Sequence, residues 1–287
     1  MGKLVWLASY PKSGNTWTRN FLHNLLGSEQ EEETHDINSM NKKTSWDSGW
    51  HWYKPFLPEG RKSFQECTRR EISNARMRAN QHIANSISPQ GLVFVKTHNA
   101  MVLDCDVPMI NNEVTAAAVY IIRNPLDVAI SYSHHLNFTI DQTIKYMAVK
   151  GVMTAINHPH MAYEVMGSWS EHVHSWTRAP HPALHIMRYE DMLENSTQTF
   201  RQLANFLRIF VDDEILQKAI EKSSFKKLRA MEEEKGFREK PEHAKNFFRK
   251  GEIGQWRTEL TETQILQIIS DHREQMERFN YIPKEYA

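Results

Sequence analysis

Apolar positions along this chain follow two periods. Short unbroken runs at residues 4–8, 92–95, 117–122 and 184–187 have the length and composition of buried strands. Helix-length segments separate them. Trp17, Phe21 and Leu25 recur every four residues with Leu22 and Leu26 alongside, an apolar helical stripe. Phe200, Leu203, Phe206, Leu207 and Phe210 predict a helix over residues 199–210. Ile265, Leu266, Ile268, Ile269 and Met276 predict another over 262–279, with Thr261 as its cap. Strand runs alternating with helices predict an α/β fold, a mostly parallel central sheet flanked by helices. Two polar stretches break the pattern: residues 28–45, with Glu31, Glu32 and Glu33 in a row, and residues 231–246, with Gly236 and Pro241. Both read as irregular loops, and the second is either a lid or a surface loop.

At 287 residues the chain is long enough for one large domain, expected over residues 1–287. Lys plus Arg equals Asp plus Glu at 35 each, so no global charge draws it to nucleic acid or an anionic membrane, and neither is expected as a partner. Cys67 and Cys105 are too few for a disulfide framework or a zinc cluster, which favours a reduced protein. No apolar stretch reaches the roughly 18–20 residues of a membrane span. The N-terminus runs straight into a strand and lacks the pattern of a signal peptide, so a cytoplasmic location is expected.

Between the first strand and first helix stands Tyr10-Pro11-Lys12-Ser13-Gly14-Asn15-Thr16-Trp17. A Gly-containing turn at a helix N-terminus aims several backbone N–H groups at one point, where the helix dipole also favours negative charge. Lys12 adds a full positive charge, so the loop reads as a phosphate cradle. It lacks the Gly-x-x-x-x-Gly-Lys-Ser/Thr spacing of the nucleotide-triphosphate loop. Downstream, Lys96-Thr97-His98 ends the second long strand, where open α/β sheets bind ligands. Arg123-Asn124-Pro125-Leu126-Asp127 ends the third, with Ser131 eight residues after Arg123. Arg188-Tyr189-Glu190-Asp191, Ser223-Ser224-Phe225 and Phe248-Arg249-Lys250-Gly251-Glu252-Ile253-Gly254-Gln255-Trp256 follow in order. Arg offers phosphate a planar fork of donors, and Gly251 lets backbone approach closely. Asp127 is expected to cap or pair locally.

These segments, in this order, resemble the cytosolic-type sulfotransferases, which use 3′-phosphoadenosine 5′-phosphosulfate (PAPS). The resemblance runs from about Leu4 to Trp256. The cadence of residues 168–210 and of the C-terminus is closest to bacterial members. It implies the P-loop-like sulfotransferase fold and transfer of a sulfuryl group to a hydroxyl or amine of a small-molecule acceptor. It assigns the catalytic base to His98, with Lys12 and Lys96 assisting. It assigns the 5′-phosphosulfate to Lys12, Ser13, Gly14, Asn15, Thr16 and Trp17. The 3′-phosphate falls to Arg123, Ser131, Arg249, Lys250 and Gly251, with Phe248 opening that last cofactor-binding element, and the adenine side to Trp17, Tyr189, Ser223 and Phe225. No metal is implied, because a sulfuryl group in flight carries less charge than a phosphoryl; a homodimer is compatible with the resemblance. Two departures stand out. Asn99-Ala100 follows His98 where the family often has Pro two residues beyond, and Gln255 replaces the usual Asp. A small-molecule kinase would need a triphosphate cradle and magnesium ligands, and a non-catalytic nucleotide-binding module would need a spoiled base or loop lysine. On the acceptor side, Trp46, Trp50, Trp52, Tyr53 and Phe56 line a pocket or belong to the core. His134, His135 and Phe138 form a second candidate wall.

Overall fold

The computed structural model describes residues 2–27, 37–42, 44–88 and 90–287. Among these, the strands are β1 (Lys3–Ser9), β2 (Thr44–Trp46), β3 (Leu92–Thr97), β4 (Leu103–Asp104), β5 (Val107–Pro108), β6 (Thr115–Ile122), β7 (Met153–Thr154), β8 (Glu164–Val165) and β9 (Leu184–Arg188). The α-helices are α1 (Asn15–Leu26), α2 (Trp50–Tyr53), α3 (Arg69–Ile87), α4 (Pro125–Leu136), α5 (Ile140–Ala148), α6 (Trp169–Thr177), α7 (Tyr189–Glu194), α8 (Ser196–Phe206), α9 (Asp213–Lys222), α10 (Phe225–Lys235), α11 (Trp256–Glu259) and α12 (Glu262–Arg278). The expected α/β architecture is present: one sheet in the order β2-β3-β1-β6-β9, flanked by helices. The four apolar runs read from the sequence are its β1, β3, β6 and β9. β1 and β3 are parallel, with Ala8 opposite Thr97, and both deliver their C-terminal ends to the chemistry described below. Two small hairpins, β4-β5 and β7-β8, carry no sequence signal of comparable strength.

The chain forms two compact units. The first takes Met1–Tyr10, Ser45–Tyr120 and Tyr146–Leu184, and the second Pro11–Thr44, Ile121–Lys145 and His185–Ala287. In the first, Tyr53, Leu57, Phe64, Ile72, Met109 and Tyr163 form one apolar cluster, with Trp50, Trp52 and Phe56 half-buried around it. Of the aromatic segment left open between pocket and core, Tyr53 is therefore core. In the second, Ile37, Met40, Leu228, Phe237 and Phe248 pack together.

Three helices begin where the sequence supplies reciprocal caps. Thr68 with Glu71 opens α3, Ser168 with Glu171 opens α6, and Thr261 with Gln264 opens α12. Several boundaries differ from expectation. The helix expected over residues 199–210 starts at Ser196 and stops at Phe206, because Arg208 turns into the left-handed region at φ 57°. Phe210 is consequently exposed rather than on the apolar stripe. Leu266 is also exposed, outside the buried face of α12. Residues 37–42, expected as loop, form a 3-10 helix whose Ile37 and Met40 are buried, and Thr44 enters β2. The acidic residues Glu31, Glu32 and Glu33 lie outside the described residues. The segment 231–246 begins as the last turns of α10, which Gly236 ends at φ 70°. Beyond it, Phe237 is buried, and Glu239 pairs with the fully buried Arg19 at 2.7 Å.

Candidate active site

In the second unit the loop at residues 11–14 is built from backbone conformations rather than side chains. Lys12 at φ 67° and Gly14 at φ 104° bracket Ser13. Gly14 caps α1 without a side-chain hydrogen bond to the first turn, at the end of the helix where the dipole favours an anion. A Cβ on Gly14 would lie 2.8 Å from the Tyr189 ring, so glycine is required for space as well as torsion. The Ser13 hydroxyl, the Trp17 indole N–H and Arg123 Nε are buried without partners. Two of these orphaned groups stand at the start of α1 and the third on Arg123, which bonds the loop's Lys12 carbonyl, and together they fit an anionic nucleotide. The Lys12 ammonium sits 4.1 Å from the centre of the Phe247 ring.

Arg123 ties this loop to a second one. Its Nη1 donates to the Lys12 carbonyl at 3.1 Å and its Nη2 to the Glu252 carbonyl at 3.0 Å, while the guanidinium lies 4.1 Å over the Tyr189 ring. Asp127 acts at longer range than expected. It neither caps α4, which Asn124 does, nor pairs locally. Its two carboxylate oxygens accept Gly254 N–H at 2.7 Å and Trp256 N–H at 3.1 Å. Arg249 and Lys250 share Glu259, at 3.6 and 2.6 Å, and Gln255 accepts a hydrogen bond from Arg249. The departure at Gln255 thus holds a cation of the motif. Gly251 at φ 68° abuts Phe225, whose ring a Cβ would meet at 2.2 Å. Ser131 is half-buried on α4. His134, one turn further, is exposed by area, and partial desolvation and then the positive charge of Arg249 hold it below the usual imidazole value. The His135 ring packs 6.3 Å from Phe247.

Two residues expected on the cofactor side are placed otherwise. Ser223 is fully buried and its hydroxyl donates to the Ala219 and Ile220 carbonyls at the end of α9. Phe248 turns into the core, and its N–H, with that of Phe247, is received by the Glu232 carboxylate at 2.9 and 2.6 Å.

In the first unit, His98 follows β3 directly. Its Nδ1 lies 2.6 Å from the Ser9 carbonyl at the end of β1. A carbonyl can only accept, so Nδ1 carries the proton, and the neutral ring keeps its lone pair on Nε2. The His98 N–H donates to Glu164 Oε1 at 3.1 Å, and its carbonyl accepts from His172 Nε2 at 3.1 Å. His172 is fully buried, its Nδ1 accepts the Tyr120 hydroxyl at 2.9 Å, and burial lowers its pKa to about 3, so it is neutral. Lys96 lies 4.7 Å from the Trp46 ring centre. On the opposite face of the strand, Asp47 accepts from Thr97 and Asn99, each at 3.0 Å. Burial and then the nearby charge of Asp47 push the Glu164 carboxyl up to about 7. Asp47, Glu164 and His172 were not legible as functional residues, since each reaches the His98 segment only through tertiary contact. Among the described residues, no group of three or more His, Cys, Asp or Glu side chains is placed to hold a metal ion.

The chain is 26% identical over 289 residues to mouse sulfotransferase 1B1, covering 95% of this chain and 82% of the relative. It is 25% identical to flavonol 3-sulfotransferase of Flaveria bidentis, covering 92% and 78%. Among solved structures, retinol dehydratase in complex with androsterone and the inactive cofactor PAP (adenosine 3′,5′-bisphosphate) matches with a TM-score of 0.65 at 20% identity, covering 96% of this chain and 80% of that one. A mouse sulfotransferase complexed with PAP matches at 0.62 and 20% identity, covering 99% and 89%. These two show a shared fold. The sulfotransferase-domain family model matches residues 3–280, and the chain belongs to that family.

Proposed function

We propose that the chain transfers a sulfuryl group from PAPS to a hydroxyl or amine of a small-molecule acceptor, with His98 as general base. The observation that carries this reading is the hydrogen bond from His98 Nδ1 to the Ser9 carbonyl, 2.6 Å long, which leaves Nε2 to take the acceptor's proton. The same carbonyl steadies the imidazolium once that proton arrives. PAPS supplies the sulfuryl group, and in-line transfer requires the acceptor oxygen or nitrogen, sulfur and leaving oxygen to be collinear. Lys12 and the N–H groups at the start of α1 hold the phosphosulfate, and Lys12 neutralises charge gathering on the leaving oxygen. Lys96 assists from the same strand as the base. Arg123, Ser131, Arg249, Lys250 and the Gly251 N–H bind the 3′-phosphate, while Trp17, Tyr189 and Phe225 offer faces to the adenine. Residues 1–287 act as one domain, in the cytoplasm, with a homodimer compatible with the reading.

Thermal stabilisation separates this reading from a kinase. Adenosine 3′,5′-bisphosphate should raise the melting temperature well above the effect of ATP plus magnesium at equal concentration. The reverse preference would overturn the assignment of PAPS.

A further inference from the structure

The peptide of His98 is gripped from both sides. Glu164 receives its N–H and His172 donates to its carbonyl. The grip continues along the chain. Val165 N–H donates to Asn99 Oδ1 at 2.9 Å, and Ala100 N–H donates to the Val165 carbonyl at 2.8 Å. A proline at position 100, as the family often has, would carry no N–H for that last bond. The departure at Ala100 is therefore matched by a strand, β8, that docks beside the base. Glu164 is the charged member of that strand. Lys96 of β3, Arg76 of α3, Asp47 after β2 and Tyr53 of α2 all act on its charge. Of these, Lys96 is the residue assigned to assist the base.

We propose that Glu164 is a positioning residue for the reaction: its carboxyl oxygen holds the His98 N–H at 3.1 Å and so fixes the backbone that carries the base. The proposal rests on His98 being the base. A group that orients a reacting side chain through its backbone acts on turnover rather than on nucleotide affinity, since both bonds end on the His98 backbone.

Two variants test it. Glu164→Gln keeps an oxygen for the His98 N–H and removes the charge, whereas Glu164→Ala removes both. In Glu164→Ala, kcat should fall by roughly 10–100-fold, as for other outer residues that orient a reacting group. Glu164→Gln should fall less, and affinity for adenosine 3′,5′-bisphosphate, measured by calorimetry, should be unchanged in both. In a His98→Ala background Glu164→Ala should add no further loss. Wild-type turnover in His98→Ala would remove the base and this proposal with it. Loss of turnover in His98→Ala, with Glu164→Ala turning over normally or costing as much in both backgrounds, would overturn the proposal alone.

Discussion

Replacing Asp127 by Ala should damage a loop that lies far from it in sequence. Asp127 is 2% exposed, and its carboxylate accepts the N–H groups of Gly254 and Trp256 at 2.7 and 3.1 Å. Hydrogen bonds to a charged group are worth about 1.5–3 kcal/mol each, and two of them give about 3–6 kcal/mol. A chain of this size loses about 2–4 °C per kcal/mol, so the melting temperature should drop by roughly 6–24 °C. Differential scanning calorimetry gives that number. The ligand arm is more specific. The freed segment carries Arg249, Lys250 and Gly251, so affinity for adenosine 3′,5′-bisphosphate should fall more than affinity for adenosine 5′-monophosphate. Asp127→Asn, which keeps one acceptor oxygen, should lie between wild type and Ala on both scales. A melting temperature within about 2 °C of wild type, less than 1 kcal/mol, would refute the idea that this carboxylate anchors the loop.

Gly251→Ala forces a side chain into the left-handed region and onto the Phe225 ring, so stability should fall by at least about 1–3 kcal/mol, read from denaturant unfolding. Lys12→Ala should lower kcat and raise the Michaelis constant for PAPS; a change in the Michaelis constant alone would contradict its role at the leaving oxygen. Glu164, raised from 4.5 to about 7, binds its proton more tightly folded than unfolded, so its contribution to stability declines as pH rises from about 4.5 to about 7. The stability of Glu164→Gln relative to wild type should therefore grow across that window and level off above it. A difference that is flat with pH, by urea unfolding, would contradict the raised pKa.

The sheet and the phosphate loop were legible because each is local. An unbroken apolar run such as Val93-Phe94-Val95 admits few readings, and a Gly turn between strand and helix carries its own geometry. The apolar stripe and the Thr261 cap made α12 legible to within a residue at its end. Residues 37–42 were not, because two apolar positions are too few to show a period and are buried by residues far along the chain, Leu228, Phe237 and Phe248 among them. Phe210 failed for a backbone reason, since the apolar spacing outlasts the helix that Arg208 ends. Asp127 looked like a cap because it opens a helix, and its true partners lie in another loop. Ser223 matched a motif by type, yet a hydroxyl one residue past a helix end finds the helix's own carbonyls. Around His98, the motif is visible in sequence but its support is not: Ser9, Glu164 and His172 meet it only by folding.

The central claim is that the imidazole of His98 takes the acceptor's proton. Screening hydroxyl and amine compounds with PAPS supplies an acceptor, and wild type and His98→Ala can then be compared in single-turnover sulfuryl transfer alongside calorimetry with adenosine 3′,5′-bisphosphate. The expected result is unchanged nucleotide affinity with transfer slowed by roughly 10²–10⁴-fold, the usual contribution of a general base. Transfer at the wild-type rate by His98→Ala would contradict it.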